Sequence, residues 1–275
     1  MKNLLFLFLL LNINAYSKEI DSEKILNEGK LLYRLEKASW YGTDFFLKEF
    51  PQKKDSIGGY LSYVSDNKVI NIFFGRFDTY HIFARFQFDS LPKPNPIQID
   101  TLSSVATAIE RDLIQIRQDA LDKLKSNSDS FFRFYKNVSF NTIPLITDDE
   151  RKVYVISGTN LNGIVLIGND YLFKYDNKNN FISKEKIHNS LIQLQSKIDS
   201  KNNPVVATMH SHVISDFIDP TDICTLLLFK DLVNWNQHYV ISKNYVSILD
   251  IKKETLTIIT REAWNKIKNQ KQQNE

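Results

Sequence analysis

The sequence contains a single cysteine, Cys224, so no disulfide can form within the chain and its stability must come from packing. Beyond residue 17 there is no apolar run of the roughly 20 residues that a membrane-spanning helix requires. Neither sign of charge dominates, because Lys and Arg number 35 against 32 for Asp and Glu, and both signs are interleaved. This leaves no basic footprint for nucleic acid. We therefore expect no nucleic-acid partner and no stable membrane span after removal of any export signal.

The amino terminus has the features of such a signal. Lys2 precedes an apolar run over residues 4–11, and Ala15-Tyr16-Ser17 supplies a small-x-small site before a polar segment. A positive start, a short apolar core and a small-residue site are typical of a cleaved signal peptide. A buried amino-terminal helix is the structural alternative. We predict cleavage after Ser17 and an exported protein, either periplasmic or secreted.

The following part of the chain, residues 18–137, is predicted to be an α+β region. Apolar residues recur at helical spacing over residues 20–50, until Pro51 ends the segment. Within residues 60–88, three runs rich in aromatic and β-branched residues are separated by turn signals, which predicts an antiparallel meander. Three closely spaced prolines then form a stiff connector, and an amphipathic helix follows over about residues 105–124.

Strands return after residue 137. The elements predicted there are, in chain order, strands near 138–143, 153–157, 163–168 and 171–175, an amphipathic helix over 184–198, a strand over 205–209, a helix from 220 to about 235, and strands over 238–242, 245–250 and 256–260. This mixture predicts an α+β fold, or α/β with a mixed sheet. Residues 263–275 read as a polar, basic tail.

The pattern with the most chemical content is Met209-His210-Ser211-His212, followed by Asp219-Pro220-Thr221-Asp222. On a strand, residues i and i+2 face the same side, so His210 and His212 can reach one metal ion. Asp219 suits a helix N-cap and Asp222 the third helical position, which also explains both aspartates without any metal. Two neutral imidazoles and a carboxylate are nevertheless a usual ligand set for catalytic zinc, with one coordination position left for water.

A His-x-His, a short loop and an acidic residue opening a helix resemble the signature of the JAMM/MPN zinc metalloproteases, in which Ser-x-x-Asp opens the helix. The resemblance covers residues 138–262 and implies hydrolysis of an amide bond in a peptide or protein. By position it implies His210, His212 and Asp222 as Zn²⁺ ligands, with Asp219 in the place of the serine. In an alternative register Thr221 takes that place and Cys224 becomes the third ligand.

The same resemblance implies a glutamate on an upstream strand that activates the bound water. Glu150 is the candidate, because it precedes a strand that ends in Gly158. A charged loop before a strand is its structural alternative, and Glu185 is a second acidic residue upstream. We expect His188 to lie on a helix surface, with an approach to the site from that helix as the alternative. Asp170 is expected in a turn, with support of a metal ligand as its alternative. The predicted function is a zinc-dependent peptidase or isopeptidase; the alternative is a non-catalytic binding module on the same scaffold.

Overall fold

A computed structural model describes residues 21–196 and 205–273. The predicted signal peptide and the end of the helix predicted over residues 184–198 lie outside these described residues. None of the described helices combines the length and the apolar character that a membrane crossing requires. The helices are α1 (Ser22–Glu49), α2 (Ala108–Ser126), α3 (Pro220–Leu228) and α4 (Arg261–Gln273), and a short 3₁₀ helix spans Pro51–Ser56.

The predicted N-terminal helix and meander are confirmed. Helix α1 begins where the Asp21 side chain accepts a hydrogen bond from the backbone N–H of Lys24, and Pro51 follows its end. The meander consists of β1 (Ile57–Ser65), β2 (Lys68–Gly75) and β3 (His81–Phe88), each antiparallel to the next. Two short strands, β4 (Gln98–Asp100) and β5 (Ser104–Val105), pair with the other edge of β3.

A second group of strands forms two small antiparallel sheets. The first has the order β10-β9-β7-β6 and the second pairs β11 with β8. Their bounds are β6 (Ser139–Ile146), β7 (Arg151–Gly158), β8 (Ile164–Gly168), β9 (Tyr171–Tyr175), β10 (Phe181–Lys186) and β11 (Leu191–Gln195). The helix predicted over residues 184–198 is therefore wrong in its described part. Apolar residues three and four apart suggested a helix there, but backbone pairing with β9 and β8 holds the segment as two strands.

The last sheet carries the His-x-His pattern. It has the order β12-β13-β14-β15, with β12 (Ala207–Ser211), β13 (Gln237–Ile241), β14 (Tyr245–Asp250) and β15 (Thr255–Thr260). Strand β12 runs parallel to β13, because the connection between them crosses over through α3. Helix α3 ends at Leu228, earlier than predicted, and α4 occupies most of the predicted tail.

The two predicted regions share one hydrophobic core. Helix α1 packs along α3, and Gly29 permits the contact, since a Cβ there would lie 2.6 Å from the Ile223 side chain. The largest buried cluster combines α1 residues such as Leu32 and Leu35 with α3 residues such as Leu227. The helices and mixed sheets confirm the α+β class. Packing of α1 against α3 fixes the start of α3 beside β12, where the histidines lie.

Candidate metal centre

Three of the four predicted site residues come together at the end of β12. His210 lies on the strand, and His212 extends its pairing, because the His212 backbone N–H donates to the Ile241 carbonyl at 3.0 Å. Helix α3 begins a few residues later. There Asp222 Oδ2 accepts the Asp219 backbone N–H at 3.1 Å, as in a capping box. The strand end and the helix start therefore bring both histidines to the same carboxylate.

The side-chain atoms of these residues converge on one point. His210 Nε2 lies 2.8 Å from His212 Nε2, and Asp222 Oδ2 lies 3.7 Å and 3.2 Å from these two nitrogens. All three residues are buried. Zinc bonds of 2.0–2.1 Å in a tetrahedral arrangement place ligand atoms about 3.3 Å apart. The measured separations scatter around that value.

A fourth residue, His188, completes the group. Its Nε2 lies 3.0 Å from His212 Nε2 and 3.3 Å from Asp222 Oδ1. The four ligand atoms of His188, His210, His212 and Asp222 all lie within 4.8 Å of one another, and every one of these residues is buried. This buried cluster, hereafter the His/Asp centre, can bind a metal ion.

His188 lies in the short connection between β10 and β11, which is held in place by the turn after β8. The Ile187 backbone N–H donates to the Asp170 carbonyl, and the Asn169 N–H donates to the Ser190 carbonyl. Gly168 makes this close approach possible: its φ is +91°, and a Cβ there would lie 2.3 Å from the Ser190 carbonyl oxygen. The turn therefore fixes His188 through the backbone on either side of it.

The other ring nitrogen of each histidine also faces a partner. His212 Nδ1 lies 2.7 Å from the Phe217 carbonyl oxygen, and His210 Nδ1 lies 2.7 Å from His238 Nε2. His188 Nδ1 faces Asp170 Oδ2 at 3.3 Å, a charge contact longer than a usual hydrogen bond. Histidines that ligate metals almost always have such a partner, which fixes the tautomer and the ring orientation.

These partners determine where the ring protons lie. A carbonyl only accepts, so Nδ1 of His212 carries the proton, as assigned from its hydrogen bond. The facing Asp170 carboxylate favours a proton on His188 Nδ1 as well. His210 can donate from Nδ1 to His238, which in turn contacts Thr208 Oγ1 at 2.7 Å. In their neutral forms all three histidines then direct an Nε2 lone pair at the same point. A cation or a proton is needed there to offset the repulsion.

The pKa values of these groups in the isolated protein agree with the need for a positive charge at this point. Burial lowers the pKa of His188, but the carboxylates of Asp222 and Asp170 outweigh it and raise the pKa to about 11. Burial would raise the pKa of Asp222, yet the facing histidines hold it well below its usual range. Burial lowers the pKa of His210 to about 4 and that of His238 to about 3. An imidazolium at His188 therefore faces the Asp222 carboxylate, whose Oδ1 is left without a hydrogen-bond partner.

A narrow cleft reaches the centre from one side. It has a volume of about 30 Å³ and is lined by His188, His210, His212 and the apolar residues Ile167 and Val213. This volume is enough for about one water molecule. A molecule the size of water therefore has room to approach the histidine rings of the centre through this cleft.

Glu150, the predicted catalytic glutamate, lies elsewhere. It is half-exposed in the turn before β7, and its carboxylate contacts Lys152 Nζ at 2.7 Å. The Lys152 side chain also contacts Glu28. Burial lowers the pKa of Lys152, but the carboxylates of Glu150 and Glu28 outweigh this effect and raise it. Glu150 belongs to neither the His/Asp centre nor the cleft that reaches it.

The alternative third ligand and the other upstream acid are also placed by the structure. Cys224 is fully buried in the hydrophobic core, and burial raises the pKa of its thiol well above the usual value. Glu185 is exposed on β10 and contacts Lys174 at 2.6 Å. Asp222, rather than Cys224, is the α3 residue in the His/Asp centre.

Sequence reasoning misses the role of His238 and favours a helix surface for His188, with an approach to the site as the alternative. His188 is instead buried beside Asp222, between β10 and β11. The Asn189-Ser190 turn signal in the middle of the predicted helix was the available warning. His238 is fully buried and carries no local pattern that distinguishes it from an ordinary strand residue.

Three comparisons with known proteins found no match. No protein-family model matches the chain, and neither a curated protein nor a solved structure is significantly similar to it.

Proposed function

We propose that this protein is an exported, zinc-dependent hydrolase of amide bonds whose metal is held by His210, His212 and Asp222. The observation that carries the proposal is the convergence of these buried donors, with the remaining ring nitrogen of each histidine already engaged. Imidazole nitrogens combined with one carboxylate oxygen suit zinc better than Ca²⁺ or Mg²⁺, which prefer oxygen ligands. The resemblance to JAMM/MPN proteases rests on the same three residues.

When bound, zinc lowers the pKa of a coordinated water to near 7 and polarises a carbonyl oxygen. The protein must also accept the proton of that water and return it to the leaving amine. With zinc bound, the cation would offset the Asp222 charge that keeps His188 protonated in the isolated protein. This would leave His188 Nε2 free to take up and return a proton while Asp170 faces Nδ1. The cleft beside His188 admits one water-sized molecule.

A second function follows from the position of the same histidine. His188 Nε2 lies as close to Asp222 and His212 as a fourth ligand would. Four protein ligands make a closed, structural zinc site, whereas three leave a position for water. In that case the protein is a non-catalytic binding module that zinc stabilises.

The first experiment is metal analysis of the protein comprising residues 18–275 by elemental mass spectrometry. We expect about one zinc ion per chain, lost in a His210→Ala/His212→Ala variant. His81→Ala is the matched control, since His81 is the histidine that lies in the N-terminal meander, paired with Ser103. Protein that holds no zinc after zinc addition and removal of the excess would exclude both functions.

Cobalt substitution then separates the hydrolase from the closed site. With three protein ligands, a hydroxamate added to the cobalt protein will occupy the open position and change its visible spectrum. A spectrum that does not respond, together with loss of cobalt from His188→Gln, would establish His188 as a fourth ligand. In the hydrolase, His188→Gln retains its metal and loses hydrolysis of a fluorogenic peptide mixture.

A further inference from the structure

A second cavity lies away from the His/Asp centre, where α1, β1, α2 and β6 meet. It has a volume of about 290 Å³, close to the lower limit for small-molecule sites. Its lining is mostly apolar and includes Leu31 and Leu35 of α1, Val64 of β1, and Ile109 at the start of α2. Arg34 is the residue of this lining that carries a positive charge, so we call it the Arg34 groove.

The charge of Arg34 has no carboxylate partner among the described residues. One terminal nitrogen, Nη2, donates to the Asn67 carbonyl oxygen at 3.3 Å, while Nε is buried without a hydrogen-bond partner. Burial lowers the pKa of Arg34, and no neighbouring carboxylate contributes in the opposite direction. The groove therefore combines an apolar lining with a partly buried guanidinium group that has spare donors.

Two other partly buried arginines have carboxylate partners. Arg85 contacts Glu110 through both Nε and Nη2 at 2.7 Å, and Arg151 contacts Asp112 at 2.8 Å. In both pairs the carboxylate comes from a different element of the same chain. Arg34, by contrast, contacts no carboxylate in the part of the chain that the structure describes.

We propose that the Arg34 groove binds a free medium-chain carboxylic acid, with its carboxylate on Arg34 and its alkyl chain against the apolar wall. A guanidinium fork matches a carboxylate in a bidentate geometry, and such charge-assisted hydrogen bonds are the strong ones. Burial of the alkyl methylenes adds hydrophobic stabilisation. The ligand thus supplies both the missing anion and the missing apolar contact.

The volume sets the length of the chain. Water occupies about 30 Å³ in the liquid, so the groove accommodates about ten groups of similar size. This corresponds to an acid of roughly eight to ten carbons. Because the groove and the His/Asp centre have no lining residue in common, binding there does not depend on the proposed hydrolase function.

Isothermal titration of the 18–275 protein with decanoate tests the proposal. We expect one decanoate per chain. Decanol and acetate should bind at least tenfold more weakly, because decanol lacks the carboxylate and acetate lacks the long alkyl chain. Arg34→Met keeps much of the aliphatic stem and removes the charge, and we expect it to lower decanoate affinity at least tenfold. Equal affinity for decanol, or unchanged decanoate binding by Arg34→Met, would overturn the proposal.

A charge-introducing variant tests the groove without changing Arg34. Ile109→Glu places a negative charge at a partly exposed groove position in the first turn of α2, where the helix dipole tolerates it. We expect it to abolish decanoate binding. Ile182→Glu is the matched control, because Ile182 is exposed on β10 outside the groove. Equal binding losses in both variants would contradict the assignment, even if Arg34→Met failed to fold.

Vesicles separate the free acid from a lipid headgroup, which presents a similar anion. We expect no Arg34-dependent sedimentation with phosphatidylglycerol vesicles. If the protein sediments with them only when Arg34 is intact and does not bind decanoate, the ligand is a membrane lipid and the free-acid proposal is wrong.

Discussion

Glu110 and Asp222 occupy the same position in two helices, the third residue of α2 and of α3. Each accepts a hydrogen bond from the backbone N–H of its N-cap residue, Thr107 or Asp219, and each side chain is fully buried. Their remaining surroundings differ. Glu110 is engaged by both Arg85 and the Tyr63 hydroxyl, whereas Asp222 faces imidazoles and keeps one oxygen without a hydrogen bond.

This difference shows how one local motif serves two purposes. A capping box begins both helices, so the motif does not distinguish a structural carboxylate from a ligand. The distinction comes from the partner: a guanidinium satisfies Glu110, while the imidazoles that face Asp222 leave its Oδ1 without a hydrogen bond. Removing each carboxylate should therefore change different properties of the protein.

The largest expected effect is on folding, from Glu110→Gln. The change leaves the Arg85 guanidinium partly buried without its counter-charge, which should lower the free energy of unfolding by about 3 kcal/mol. Urea denaturation measures this loss, with zinc content as the control that should not change. A loss below about 1 kcal/mol would show that Glu110 is not the structural member of the comparison.

Asp222→Asn should affect metal binding instead. The amide preserves the shape and one acceptor for the helix start but removes the ligand charge, so we expect zinc affinity to fall at least a hundredfold, about 2.7 kcal/mol. Competition with a chelator of known affinity measures the change. Circular dichroism of the chelator-treated variant should show an intact fold. Unchanged zinc affinity would remove Asp222 from the centre.

Glu36 extends the comparison to a buried carboxylate that has only an amide partner, Asn141, at 3.0 Å. Burial raises its pKa to about 7, against the opposing effects of Asn141 and Arg117. Between the unfolded value of 4.5 and about pH 7 the folded state holds a proton that the unfolded state releases, so stability falls as pH rises through this window. Above it the loss is constant.

We therefore expect Glu36→Gln to stabilise the protein by about 2 kcal/mol at pH 8.5 and by less than about 1 kcal/mol at pH 5. Urea denaturation at the two pH values measures the difference. A gain that is equal at both pH values would mean that ionisation of Glu36 does not cause it.

The smallest expected effect concerns a residue that orients a ligand. His238→Phe removes the acceptor for His210 Nδ1 and should lower zinc affinity about tenfold. His238→Gln retains an acceptor and should recover part of the affinity, which a general packing defect would not. If both variants bind zinc equally weakly, orientation of His210 is not the cause.

The approach of His210, His212 and Asp222 could be predicted because its signals are local. Strand periodicity places His210 and His212 on one side, and an N-cap pattern places Asp222 at the start of a helix nearby. His188 could not be found this way, because the apolar spacing of Ile187, Leu191 and Leu194 fits a helix equally well. Pairing of β10 with β9 and of β11 with β8 decided the conformation of that segment.

Glu150 shows the same limit of local sequence patterns. It precedes a strand and a glycine, as the resemblance requires, but the chain neighbours of a residue do not specify what its side chain contacts. In the folded protein Lys152 binds it, and Lys152 also reaches Glu28 from helix α1. That arrangement depends on contacts more than a hundred residues apart in sequence.

Local patterns along the chain were enough to predict the α+β class, the meander, the longest helices and the approach of His210, His212 and Asp222, since these follow from periodicity and capping over a few residues. Tertiary structure alone decided that His188 joins them, that Asp170 and His238 support the ring nitrogens, and that Arg34 lines an apolar groove. The physical reason is that hydrogen-bond partners and burial come from elements distant in the chain, and no local pattern encodes them.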